Sequence, residues 1–136
     1  VIHDQVVGRI GCHHDDITYV LPISYAYDGN YIYCHSGEGM KIRMMRGNPR
    51  VCFQVDIMEN MGNWKSVVAW GDYEELSDEK REEALLQLVN RKLPLVSSAT
   101  THIVPHWPFL PDNLDDIRGI VYRIRLDTKS GRFERS

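Results

Sequence analysis

A chain of 136 residues and 15.8 kDa, 43% apolar and 26% charged, is long enough to bury a core without disulfide or metal staples. No apolar run approaches the roughly 20 residues of a membrane-spanning helix, and a net charge of −3 with a pI near 6.1 excludes the concentrated basic field that nucleic acid or an anionic membrane requires. The three cysteines, Cys12, Cys34 and Cys52, are an odd number set inside β-type patterns, which points to a reducing cytoplasm and not to a disulfide framework. One domain spanning 1–136 is expected. The chain opens at Val1 with no initiating Met and no signal-like segment, which leaves open what preceded it.

In chain order, VVGRIGC and ITYVLPISYAYD flank a polar HHDD break, the pattern of a β-hairpin. Asp28-Gly29-Asn30 suits a tight turn, and YIYCHS resumes alternation as a third antiparallel strand. After Ser36 the period changes: Met40, Ile42, Met44 and Met45 predict a short helix, with Gly47 as a left-handed cap and Pro49 as the stop. RVCFQVDIM predicts a strand, ENMGN a turn, and WKSVVAWGDYEEL a strand with a bulge at Gly71. Ser77 caps a second helix whose apolar stripe is Ala84, Leu85, Leu88 and Val89. Residues 93–118 are Pro-rich and irregular, a candidate flap carrying His102, His106 and Trp107. Residues 119–133 close the chain as a strand pair, or as one long strand with a turn at Lys129 to Gly131. The fold class is mainly β: about six mostly antiparallel strands and two short helices, closed or partly closed into a small barrel to remove the sheet's edges.

The stretch Tyr-Cys-His-Ser-Gly-Glu-Gly-Met-Lys, 33–41, concentrates reactive groups. A metal site fits poorly, because Cys34 and His35 are strand neighbours and point to opposite faces. His13 and His14 meet the same objection, and Pro105 breaks the helix that would bring His102 and His106 together. No metal is expected. A nucleophilic Cys34 lacks a base on its own face and reads as a small core residue. A strand end at His35-Ser36, two glycines and a helix start with Lys41 in its opening turn make an anion cradle. The alternative is an ordinary turn with a solvated lysine, and spacing does not choose between the two.

The order of pieces goes further. YVLPISYAYDGNYIYCHSGEGMKIRMMRGNPRVCFQVD followed by WKSVVAWGDYEEL resembles the pyridoxamine 5'-phosphate oxidase-like family of flavin-nucleotide-binding split barrels, in particular the branch of nitroimidazole-resistance flavoproteins. The resemblance runs from Gly8-Arg9-Ile10-Gly11 through Asn48-Pro49-Arg50-Val51 to Tyr122-Arg123-Ile124 and Ser130-Gly131-Arg132. It implies a homodimeric split β-barrel with FMN in a groove between subunits. His35, Ser36 and Lys41 match the positions that hold the FMN phosphate. Pro22, Ile23 and Ser24 match the strand beside the isoalloxazine, and Trp64 and Ser66 match a strand that reaches the flavin, often from the partner. Met40 stands where the family commonly has a basic residue. The Arg-x-His motif with which pyridoxamine-phosphate oxidases grip their substrate is absent, so vitamin B6 oxidation is not expected.

Three functions follow as expectations. The first is an FMN-dependent oxidoreductase passing electrons from a nicotinamide nucleotide to a small acceptor such as a nitroaromatic. The second is a flavin-binding carrier or sensor without turnover. The third is a haem-binding split barrel, for which His102 and His106 are the sequence hint. His35 reads as a phosphate anchor and not as a proton donor. His102, His106 and Trp107 are candidates to roof the flavin, and Tyr25, Tyr27, Tyr31 and Tyr33 to line a barrel face or subunit interface.

Overall fold

The computed structural model describes residues 1–3, 5, 7–91 and 117–135. Strand β1 (Val7–His14) and strand β2 (Ile17–Ser24) form a hairpin in which His14 pairs with Ile17. The loop is therefore two residues long, and Asp15 and Asp16 both take positive φ, 52° and 61°. Two successive left-handed residues are the turn whose twist suits adjoining strands, and aspartate tolerates that conformation better than most. After Tyr25 come β3 (Ala26–Tyr27) and β4 (Tyr31–Ser36), joined through Gly29 at φ 103° and fastened by Asp28, whose Oδ1 accepts from the amides of Asn30 and Tyr31 at 2.9 and 2.7 Å.

Helix α1 (Met40–Gly47), β5 (Arg50–Asn60), β6 (Asn63–Glu75), helix α2 (Asp78–Asn90) and β7 (Ile120–Arg135) complete the order. All strand pairings are antiparallel, in the order β2-β1-β5-β6-β7-β4-β3. β2 and β3 thus hold opposite edges of a seven-stranded sheet, yet Tyr25 alone separates them in sequence. A flat sheet of that size is about 28 Å across at strand spacing, which one residue cannot bridge. The sheet must curl until its edges meet, and β2 packs against β4 across the seam. This is the barrel expected from the sequence.

Its interior is filled by Ile10, Ile32, Phe53, Tyr122 and Ile124, all fully buried, with Tyr25 set edge-to-face on Phe53 at 4.9 Å. Ile42 and Met45 on one face of α1 join the same cluster, so the helix plugs the barrel. β4 is buried on both sides: Ile32 and Cys34 face the barrel, and Tyr33 faces a second cluster with Val121 and with Ala84, Leu85 and Leu88 of α2. At about 1.5–3 kcal/mol for each large apolar side chain fully removed from water, that second cluster is what holds α2 against β4 and β7. The four tyrosines accordingly divide: Tyr25 fills the barrel and Tyr27 packs against the same cluster, while Tyr31 and Tyr33 belong to the cluster under α2.

Three local expectations need correction. Gly47 belongs to α1 and has no left-handed φ; the helix stops at Asn48, extended at φ −142°, whose amide bonds Met44 O at 2.8 Å. Pro49 disfavours the helical conformation in the residue before it, so the chain leaves the helix directly. Gly47 is there because a Cβ would strike the His14 ring. The turn at Lys129 to Gly131 is absent: these residues pair with Ala69, Val68 and Val67, because β6 is long enough for the ladder to run on. The irregularity at Gly71 is real, but the extra residue is Asp127 on β7, since Trp70 pairs with Thr128 and Gly71 with Leu126. Ser77 stands at the N-cap of α2 without a side-chain capping bond. Among the described residues no helix is long and apolar enough to cross a membrane.

Candidate functional site

The barrel seam gathers one group of candidate residues. The β3–β4 register places Ala26 opposite Tyr33 and Tyr27 opposite Ile32, and β2, which ends one residue short of β3, packs against β4. Pro22 is exposed on this edge strand, where a missing N–H costs no ladder bond, and Ile23 is buried. β4 ends at Ser36, residues 37–39 turn the chain, and α1 starts at once.

That turn is built for close approach. Gly39 is extended at φ 178°, Gly37 has no positive φ, and a Cβ on either would meet no atom within 4 Å. Neither backbone conformation nor internal packing therefore calls for glycine here. What glycine does provide is bare backbone facing outward. The first helical bond runs from Arg43 N to Gly39 O at 3.1 Å, so the amides of residues 40–42 precede the ladder. No acidic residue occupies the first turn of α1. Lys41 is half-buried in that turn, and among the described residues no carboxylate lies within ion-pair distance of it. Its charge lowers the pKa of Cys12, Cys34 and His35, a small cause beside their burial. A half-buried lysine, open amides and a hydroxyl are the kinds of donor that a phosphate takes. The Ser36 hydroxyl donates to Gly37 O at 2.9 Å and must rotate to join that set.

His35 does different work. Its Nε2 donates to Arg118 O, and Gly119, at φ 104°, allows this closeness, since a Cβ there would lie 2.8 Å from the ring nitrogen. Burial lowers the imidazole pKa below its ordinary value, against the pull of the Arg118 carbonyl. In the neutral ring Nδ1 is then an acceptor, so only the protonated ring has a second hydrogen to offer an anion. Cys34 is buried, and burial pushes its thiol up to about 12. That makes it the core residue expected and leaves no thiolate for nucleophilic chemistry. Among the described residues no three His, Cys, Asp or Glu are grouped to hold a metal ion.

Trp64 and Ser66 are not at the seam. Ser66 pairs with Arg132 and Trp64 with Glu134, whereas His35 pairs with Val121. Val121 to Arg132 is about 36 Å of strand. There a cleft of about 730 Å³ runs past Ile57, Trp64, Ser66, Arg132 and Phe133. None of the seam residues lines it. Ser66 Oγ accepts from Gln54 Nε2 at 3.0 Å, and Trp64 Nε1 donates to Glu134 Oε2 at 3.2 Å. His102, His106 and Trp107 lie outside the described residues.

Sequence reasoning missed the supports of the seam: Gly119 and Arg118, which seat His35, and Arg46 with Glu38 and Glu75. Gly119 follows a long irregular stretch and carries no motif. Glu38 was legible as part of the glycine turn, but its partner eight residues on was not.

Three comparisons bear on this arrangement. A family model described as pyridoxamine 5'-phosphate oxidase matches residues 1–133. A FAD-binding protein from Mesorhizobium loti is 32% identical, with 100% of this chain and 90% of that one covered at a TM-score of 0.73. A proposed 5-nitroimidazole antibiotic resistance protein from Bacteroides thetaiotaomicron shares the fold at 21% identity and a TM-score of 0.70, covering 96% and 78% of the two chains. An uncharacterised protein of Rhizobium meliloti (strain 1021) is 46% identical over 70 residues, 52% of this chain, and the match spans only 46% of that relative's length.

Proposed function

The chain belongs to the pyridoxamine 5'-phosphate oxidase family of split barrels, and from that premise we propose that it binds FMN at the seam and works as a cytoplasmic oxidoreductase. Lys41 carries the reading: a half-buried cation without an acidic partner among the described residues, in the opening turn of a helix, is stabilised by a phosphate and by little else. A charged hydrogen bond is worth about 1.5–3 kcal/mol, against about 0.3–1 kcal/mol for the helix end. Lys41 supplies the larger share. Ser36 and the amides of residues 37–42 would take the remaining phosphate oxygens, with His35 helping only when protonated. Pro22, Ile23 and Ser24, on the β2 edge that packs against β4, would flank the ring system.

Bound FMN supplies the electron-transfer chemistry; the protein holds it, orients it and keeps water from one face. Trp64 and Ser66 lie on β6, three strands from β2 and two from β4 in the sheet order, and would reach a flavin at the seam from a second copy of the chain. A homodimer with the cofactor between subunits, as the resemblance implies, would supply them. Electrons would come from a nicotinamide nucleotide and pass to a small acceptor, for which a nitroaromatic is the first compound to try. Vitamin B6 oxidation is not proposed, because the chain has no Arg-x-His. The Mesorhizobium relative favours FAD as the second reading.

The test is the colour of the purified protein. A flavin spectrum, FMN on release and mass measurement, bleaching by NADH or NADPH under anaerobic conditions and recovery with a nitroaromatic support the whole reading. Released FAD shifts the assignment to the second cofactor. Bound flavin with negligible turnover across donors leaves a carrier or sensor. A colourless protein that gives a Soret band on haem titration overturns the proposal.

A further inference from the structure

The turn between β4 and α1 has two glycines and so little intrinsic stiffness, yet one side chain in it is strapped down. Glu38, between Gly37 and Gly39, accepts both arms of the Arg46 fork, Nη1 to Oε2 at 3.1 Å and Nη2 to Oε1 at 2.8 Å. Arg46 sits at the far end of α1 and also reaches β6, donating from Nε to Glu75 Oε1 at 2.8 Å and from Nη2 to Glu75 Oε2 at 3.3 Å. Tyr73 OH closes the array on Glu75 Oε1 at 2.7 Å. One guanidinium thus ties the turn to a strand of the barrel wall.

We propose that Arg46 and Glu38 are positioning residues that hold the 37–39 turn in its anion-receiving shape; this rests on the FMN reading above. Glu38 touches no phosphate in this account. By charge alone a carboxylate in an anion-binding turn opposes binding, so its presence there calls for a compensating role. As a surface ion pair it adds little stability: Arg46 is 40% and Glu38 57% exposed. What it restrains is backbone. Each residue freed from a single conformation costs about a factor of ten or more in any equilibrium that must re-order it, and the amides of this turn must be ordered to meet a phosphate.

The sign of one substitution separates positioning from electrostatics. Glu38→Ala removes a negative charge from beside the proposed phosphate, which by Coulomb's law tightens binding; loss of the strap weakens it. Full-length wild type, Glu38→Ala, Arg46→Ala and the double variant are titrated with FMN and, separately, with riboflavin, which lacks the phosphate. Each single variant should weaken FMN about tenfold, the double variant no more than either, and riboflavin should bind all four alike. Thermal midpoints should stay together, since the pair is exposed. Glu38→Ala that binds FMN as well as or better than wild type, or losses that multiply in the double variant, overturns the inference while leaving the FMN reading intact. Wild type that binds no FMN overturns both.

Discussion

His35 and Ser66 are both held by β7, but eleven residues apart along it: His35 pairs with Val121 and Ser66 with Arg132. Two residues expected around one flavin therefore pair near opposite ends of one strand. A dimer in which each chain lends its β6 end to the other's seam, as proposed above, would bring them to one flavin. Neither Lys41→Ala nor Trp64→Ala should hold flavin tightly alone. When the two variants exchange subunits, each mixed dimer has one intact site, so about a quarter of all sites should recover full affinity. Sedimentation with flavin absorbance measures both assembly and binding, and no recovery on mixing counts against a shared site.

Lys41→Ala should weaken FMN tenfold to a hundredfold, the scale of one lost charged hydrogen bond. Fluorescence quenching on titration gives the value. Unchanged affinity would take Lys41 out of the site.

Gly119→Ala places a Cβ 2.8 Å from His35 Nε2 and Ser36 O on a backbone at φ 104°. Strain and overpacking together should cost about 2–4 kcal/mol in urea unfolding. Flavin affinity should fall as well, because the same clash displaces the strand end.

His35 gives stability a pH dependence. Its folded pKa is lowered by burial beneath the ordinary 6.5, so the unfolded chain binds the proton first as pH falls. The contribution is complete above 6.5 and is lost as pH drops through the folded value. His35→Gln should flatten the unfolding free energy in that range relative to wild type, and parallel profiles would show that His35 does not titrate differently on folding.

The fold was legible because strong local signals agreed: alternation in YIYCHS, a change of period at Met40, a stripe at Ala84, Leu85 and Leu88. The turn from β4 into α1 was legible as a strand, glycines and a helix start in order. Non-local facts were not. That Tyr25 bridges two sheet edges depends on strand order, and that Ser66 lies far from His35 depends on pairing register. Gly47 shows the limit of a local rule: it has the place of a left-handed cap, but the His14 ring packed against it accounts for the glycine and Pro49 for the stop. The resemblance placed Trp64 and Ser66 with the flavin; register shows that their β7 partners lie eleven or more residues from that of His35.

FMN and riboflavin differ only by the phosphate, so their ratio of dissociation constants reads the Ser36–Lys41 turn directly. The wild-type protein should prefer FMN by at least about a hundredfold, and Lys41→Ala should remove at least about tenfold of that preference while leaving riboflavin binding unchanged. Equal affinity of the wild type for the two compounds, or a preference that Lys41→Ala leaves undiminished, would contradict the account.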